Sequence, residues 1–242
     1  MKPTVVLVHG AFADSSSWNG VIRVLKKNGY AVVAAANPLR GVQADARSVT
    51  DLVKSIEGDV VLVGHSYGGC VITQVDLDAT KVRALVYVAA FAPDVGEAAG
   101  ELAAKFPGST LGAALAVPVP LSGGGQDLYI RQSAFHEQFA ADVSVSEAEL
   151  MAAGQRPITA AALAEASAYA AWKSVPSWFI HGDADRNIPA QALAFMAHRA
   201  GSRHTEVVQG GSHVVMVSNP RAVAELIERA AQADEGAVRQ GR

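Results

Sequence analysis

A single serine hydroxyl stands among glycines in "VVLVGHSYGGC" (60–70). Gly64-His65-Ser66-Tyr67-Gly68 has the form G-x-S-x-G. At that spacing a sharp strand-to-helix turn holds the serine in strained backbone geometry. Small residues two before and two after it let strand and helix approach closely. The hydroxyl is then exposed at the strand end, beside a helix N-terminus. So short a pattern also arises by chance, as a glycine-rich turn with a solvent-facing serine. Here a buried-strand pattern precedes it and a helix-like "GCVITQVDLD" follows, a combination that such a turn leaves unexplained.

A serine hydroxyl is a poor nucleophile near neutral pH. It needs a histidine to take its proton and a carboxylate to orient that histidine. The turn predicts the chain order serine, acid, histidine. "FIHGDADRNIP" offers Asp183 and Asp185, one of which can serve only to shape the turn. "VVQGGSHVVMVSNP" places His213 in a Gly-Gly-Ser loop. His9, His65 and His181 sit at strand ends and suit structural roles. His136, His198 and His204 occupy helix or strand-start positions suited to packing or surface. A tetrahedral intermediate also needs two backbone N–H groups aimed at its oxygen. Tyr67, next after the serine, supplies one. Ala11, after Gly10 in "VHGAFADSSSW", supplies the other, with Phe12 lining the pocket.

The elements that must position these groups are short apolar runs alternating with helix-like segments. The runs are 4–9, 31–36, 59–64, 83–90, 177–182 and 204–209. Most lack polar–apolar alternation, as strands buried on both faces do. Helix-like segments fall at 16–28, 45–57, 68–79 and 190–200, and Asn219-Pro220 opens a last helix. The pattern predicts an α/β fold with a doubly wound, mostly parallel sheet. Residues 94–171 break the rhythm. They contain the loop-like "PVPLSGGG" (118–125), a capping-box spacing at Ser146 and Glu149, and helix-like pieces. They read as a helical cap inserted after the fourth strand, between core segments 1–93 and 172–232, with 233–242 a frayed tail. Phe135 and Phe139 lie one helical turn apart and serve either as pocket lining or as cap-to-core packing.

The chain has 242 residues, half of them apolar, a formal net charge of −3, and one cysteine, Cys70. That is enough for one sizeable core. It argues against nucleic acid as a partner and against disulfides or a cysteine-rich metal site. No apolar run reaches transmembrane length and no secretory leader is visible, so the expectation is a cytoplasmic protein without a membrane partner. No metal-ligand cluster or phosphate-binding glycine loop is evident, so neither metal nor organic cofactor is expected. "SGGG" (122–125) reads as a flexible loop.

These motifs together resemble the α/β-hydrolase superfamily, in its branch of small esterases, methylesterases and hydroxynitrile lyases. "HGAFADSSSW" resembles the oxyanion loop, "GHSYGG" the serine elbow, "GDADRNIP" the acid loop, and "GSH" followed by "SNP" the histidine loop. The family's acid pattern, G-x-x-D-x-x-x-P, matches Gly182, Asp185 and Pro189, and so selects Asp185 over Asp183. Lyases of this branch typically carry Thr after the first-strand His and Lys after the catalytic His; here Gly10 and Val214 stand there. A serine also departs from the aspartate nucleophile of dehalogenases and epoxide hydrolases. The resemblance implies a serine esterase in which Ser66, Asp185 and His213 cleave a small, apolar carboxylic ester through an acyl-enzyme, in a monomer or homodimer. The alternatives are the same triad on a lactone, amide, carbon–carbon bond or peroxide, a hydroxynitrile lyase, or a slowly hydrolysing small-molecule receptor.

Overall fold

A computed structural model describes residues 1–233; the expected frayed tail lies, but for residue 233, outside the described residues. In chain order the strands are β1 (Thr4–Val8), β2 (Val32–Ala35), β3 (Val60–His65), β4 (Val82–Val88), β5 (Val119–Pro120), β6 (Gln126–Leu128), β7 (Ile158–Thr159), β8 (Ser177–Gly182) and β9 (Thr205–Val208). Six of them form a sheet in the order β2-β1-β3-β4-β8-β9, with every neighbouring pair parallel. β3 and β8 are buried along their whole length, as covering on both faces requires. The chain leaves β1 toward β2 and returns to β3 on the opposite side. The loops after β1 and β3 therefore diverge at a topological switch point, where ligands bind in open α/β sheets.

The helices are α1 (Asn19–Lys27), α2 (Val42–Lys54), α3 (Tyr67–Thr73), α4 (Ala99–Ala104), α5 (Leu111–Ala114), α6 (Gln132–Phe139), α7 (Val145–Gly154), α8 (Ala160–Ala164), α9 (Ala190–Arg199), α10 (Val215–Ser218) and α11 (Pro220–Gln232). α2 begins three residues before the expected 45–57. Its first free amides, Val42 and Gln43, donate to the Glu165 carboxylate, 2.6 and 3.3 Å away. A carboxylate brought from 123 residues along the chain satisfies the orphan donors of a helix start and leaves no local signal. α3 stops at Thr73, short of 79, because Asp76 folds the following residues into a turn through Asp78 and Ala79 N–H.

The segment 94–171 adds strands to the helices and loop expected there. α4 to α8 lie in it, and so does a small antiparallel sheet, β5-β6-β7. Strands of two or three residues are too short to show a period. "SGGG" is the turn of the β5–β6 hairpin, closed by Leu121 and Gly125. The capping serine of α7 is Ser144, whose Oγ accepts Glu147 N–H at 3.3 Å. It has the same spacing as Ser146 and Glu149, two residues earlier. The two ends of the segment are tied together. Gly96 N–H donates to Ser167 O (2.7 Å), Ser167 N–H to Glu97 O (2.9 Å), and Trp172 Nε1 to Pro93 O (2.9 Å). Lys173 pairs with Asp94 at 2.5 Å, and Arg199 grips Glu97 with two nitrogens, each at 2.7 Å.

Candidate active site

Ser66 lies between β3 and α3 with φ 53° and ψ −123°, a strained conformation for a residue with a side chain. The turn closes only because Gly64 and Gly68 lack side chains. A Cβ on Gly64 would lie 2.6 Å from Gly68 O, and one on Gly68 would lie 2.4 Å from Val8 O. Ser66 N–H donates to Val88 O, and Ser66 O accepts from Gly69 and Phe91 N–H, which fixes the strained residue from both sides.

The loops after β8 and β9 meet below it. Asp185 Oδ2 and His213 Nδ1 lie 2.6 Å apart, both buried. Asp185 Oδ1 accepts Asn187 and Ile188 N–H at 2.8 and 3.0 Å, so the carboxylate is oriented by its own loop. Asp183 is exposed and accepts Gly210 N–H at 2.7 Å. The two acids thus occupy different positions, one facing the histidine and one shaping the turn. Ser66 and His213 both line one cavity of about 80 Å³ and form no direct hydrogen bond. Ala11, Phe12, Tyr67, Phe91, Leu111, Phe139, Asn187 and Ile188 also line it. Phe135 does not. It is fully buried behind Phe139, ring centroids 4.9 Å apart, and packs the cap.

Among the described residues, neither Ala11 nor Tyr67 has a protein acceptor for its backbone N–H. Phe12 N–H, by contrast, is committed to Arg156 O at 3.0 Å. The Tyr67 hydroxyl donates to buried Asp45 at 2.9 Å. Burial, followed by the Asp45 charge, pushes the phenol upward, so Tyr67 offers no side-chain acid. Burial raises the Asp45 carboxyl as well, against its hydrogen bonds from Arg40 N–H, Tyr67 and Gly41 N–H.

His9 and His65 hold backbone. Asn37 N–H donates to His9 Nε2 (3.1 Å), and His9 Nδ1–H donates to Gly10 O (2.9 Å). His65 Nε2–H donates to His213 O at 3.0 Å. Burial first, and then the nearby His213, hold His65 well below the usual histidine range; it stays neutral beside the reacting imidazole. Burial also raises the Cys70 thiol, which makes it inert.

Sequence reasoning missed Asn187, Gln138 and Asp45. Asn187 lies inside the acid-loop pattern between Asp185 and Pro189, which could have marked it. Gln138 and Asp45 are single polar residues within helices, which no periodic signal marks. No group of three or more histidine, cysteine or acidic residues that could hold a metal ion occurs among the described residues. No described helix is long and apolar enough to cross a membrane.

A model of the alpha/beta hydrolase family matches residues 5–226. The chain belongs to that family. Over 96% of its length it is 24% identical to "Alpha/beta hydrolase nvfD" of Aspergillus novofumigatus, covering 97% of that protein. A carbendazim-hydrolyzing esterase of Nocardioides is 40% identical over 38% of this chain and 43% of its own. The crystal structure of polyneuridine aldehyde esterase superimposes with TM-score 0.80 at 20% identity, over 94% of this chain and 98% of that one. This last likeness is one of fold. As an alpha/beta hydrolase, the chain carries the family's mostly parallel sheet.

Proposed function

We propose that this alpha/beta hydrolase is a serine esterase acting on small carboxylic esters. The observation that carries the reading is the buried Asp185–His213 contact at 2.6 Å, opening on the same cavity as a strained Ser66. With Nδ1 turned to Asp185, the imidazole keeps Nε2 for the serine proton. Ser66 Oγ attacks the ester carbonyl as His213 accepts that proton. The N–H groups of Ala11 and Tyr67 stabilise the oxyanion, an effect worth several kcal/mol. His213 then protonates the leaving alcohol, which leaves Ser66 acylated. Water gives its proton to His213, attacks the acyl-enzyme, and releases the acid as the proton returns to Ser66. Serine–histidine bonds of this kind are often long until substrate binds. The names of esterase relatives support the same reading.

The cavity also bears on substrate size. At about 80 Å³ it is about half the ~150 Å³ apolar cavity that admits benzene in an engineered protein. It suits a short aliphatic group on one side of the ester. A panel of p-nitrophenyl esters of rising acyl length tests this. Turnover is expected with acetate and propionate and should fall steeply beyond butyrate. No turnover of any member, together with no labelling by a serine-directed phosphonate, would overturn it.

A further inference from the structure

One stretch of the inserted segment reaches the loops after β1, β8 and β9. Gln138, in the last turn of α6, is buried and turned to the acid loop. Its Nε2 donates to Arg186 O (2.9 Å) and to Asn187 Oδ1 (3.1 Å). Asn187 Nδ2 donates back to Gln138 O at 3.3 Å. Thr110 Oγ1–H fixes the remaining Gln138 oxygen at 2.8 Å. Phe139 sets its ring 5.0 Å from the His213 ring and 6.2 Å from Phe12. Asp142 accepts the Ser212 hydroxyl, next to His213.

We propose that residues 138–142 set the geometry of the triad, and that Gln138 is the positioning residue that holds Asp185 through Asn187. This rests on the serine-esterase reading. Asn187 N–H is one of two donors that orient Asp185 Oδ1, leaving Oδ2 to face His213. The Asn187 amide finds its own partners on Gln138, as donor and as acceptor. Without the Gln138 side chain Asn187 Oδ1 loses its donor and keeps only the 3.3 Å bond from Nδ2 to the backbone carbonyl of residue 138, so the acid loop can turn about Asp185. Misplacement of a catalytic group by about 1 Å costs up to about 100-fold in rate.

The test uses two variants of the full chain. Gln138→Leu removes both donors and the acceptor. Gln138→Glu keeps shape and acceptor but cannot donate to Asn187. Each is assayed on p-nitrophenyl acetate after circular dichroism has shown it folded, and is titrated with a fluorophosphonate that reports Ser66 reactivity. The expected result is a kcat at least tenfold lower with KM within about twofold of wild type, and phosphonate labelling slowed in parallel. If Gln138→Leu fails to fold, Gln138→Glu alone decides. Unchanged kcat in a folded variant overturns the proposal. A raised KM at unchanged kcat also overturns it, since Gln138 would then only shape the pocket. Failure of the wild type itself to react with the phosphonate would instead sink the serine-esterase reading.

Discussion

Ser66 holds a strained backbone, at a cost of about 1–3 kcal/mol, and the residues around it define what each substitution should do. Ser66→Ala should keep the fold and lose ester turnover by about 10⁴-fold or more; a folded variant with retained activity would move the nucleophile elsewhere. Asp185→Asn should lower kcat by several orders of magnitude. Asp183→Asn should mainly loosen the turn it shares with Gly210, so a thermal melt should move more than kcat. A reversed result exchanges their roles. The lyase comparison gains a physical form at Gly10 and Val214. A Cβ at Gly10 would lie 2.6 Å from Ser66 Cβ, and Val214 is fully buried. Gly10→Thr with Val214→Lys should therefore lose esterase activity and stability together, and wild type should release negligible cyanide from mandelonitrile. At this scale the position of Ser66 and of His213 in loops after strands was legible in the sequence, since each follows an apolar run in a glycine-rich stretch. The choice between two aspartates rested on a family pattern, because two acids two residues apart have the same chemistry until a fold turns one inward. Gln138 stayed hidden because a single amide side chain in a helix carries no pattern of its own, and Asn187 because the acid-loop pattern leaves its position open.

Among the elements, the six long strands were legible within one or two residues, because uninterrupted β-branched runs admit few other readings. Helix starts were less so. The first turn of α2 is capped by Glu165 from the inserted segment, a partner that no local window contains. Glu165→Gln should lower the melting temperature by a degree or more, by weakening a charged cap worth about 1 kcal/mol; an unchanged melt would make the contact incidental. The small β5-β6-β7 sheet was missed for a different reason, since its strands are too short for periodicity. Glu97 gives the clearest pH dependence. The hydrogen bonds from Arg199 hold its carboxyl below the usual glutamate range. Its stabilisation is therefore present above the unfolded-state value and is lost as pH falls through the lower folded one. Glu97→Gln should destabilise at neutral pH by about 1–2 kcal/mol, a figure discounted for partial exposure. The gap to wild type should close well below about pH 4. A gap that persists in acid would show that shape, not charge, carries the contact.

Across the whole molecule, Phe12 borders two spaces. It lines the 80 Å³ cavity and also a groove of about 610 Å³ between α1 and α7, with Arg23, Glu147, Leu150 and Met151. Its φ of 59° is left-handed, and its N–H is tied to Arg156 O in the inserted segment. Phe12→Ala should join the two spaces and raise activity on p-nitrophenyl octanoate relative to acetate by about tenfold or more. An unchanged ratio would make Phe12 packing alone. The break in the strand–helix rhythm between β4 and β8 was legible, but that segment's contacts with the site were not, because they join residues far apart in the chain. The tied neck at Gly96, Glu97 and Ser167 has an evolutionary consequence. Two ends fastened side by side make the segment a natural unit for exchange between relatives, since a transplanted segment need only reproduce that junction to be accepted by the sheet. A transplant that kept the neck but lost Gln138 and Asp142 would fold and present a new pocket, yet leave the acid and histidine loops unsupported. Recombination in this lineage should therefore conserve the junction and the α6 terminus as a linked pair, while the residues between them drift.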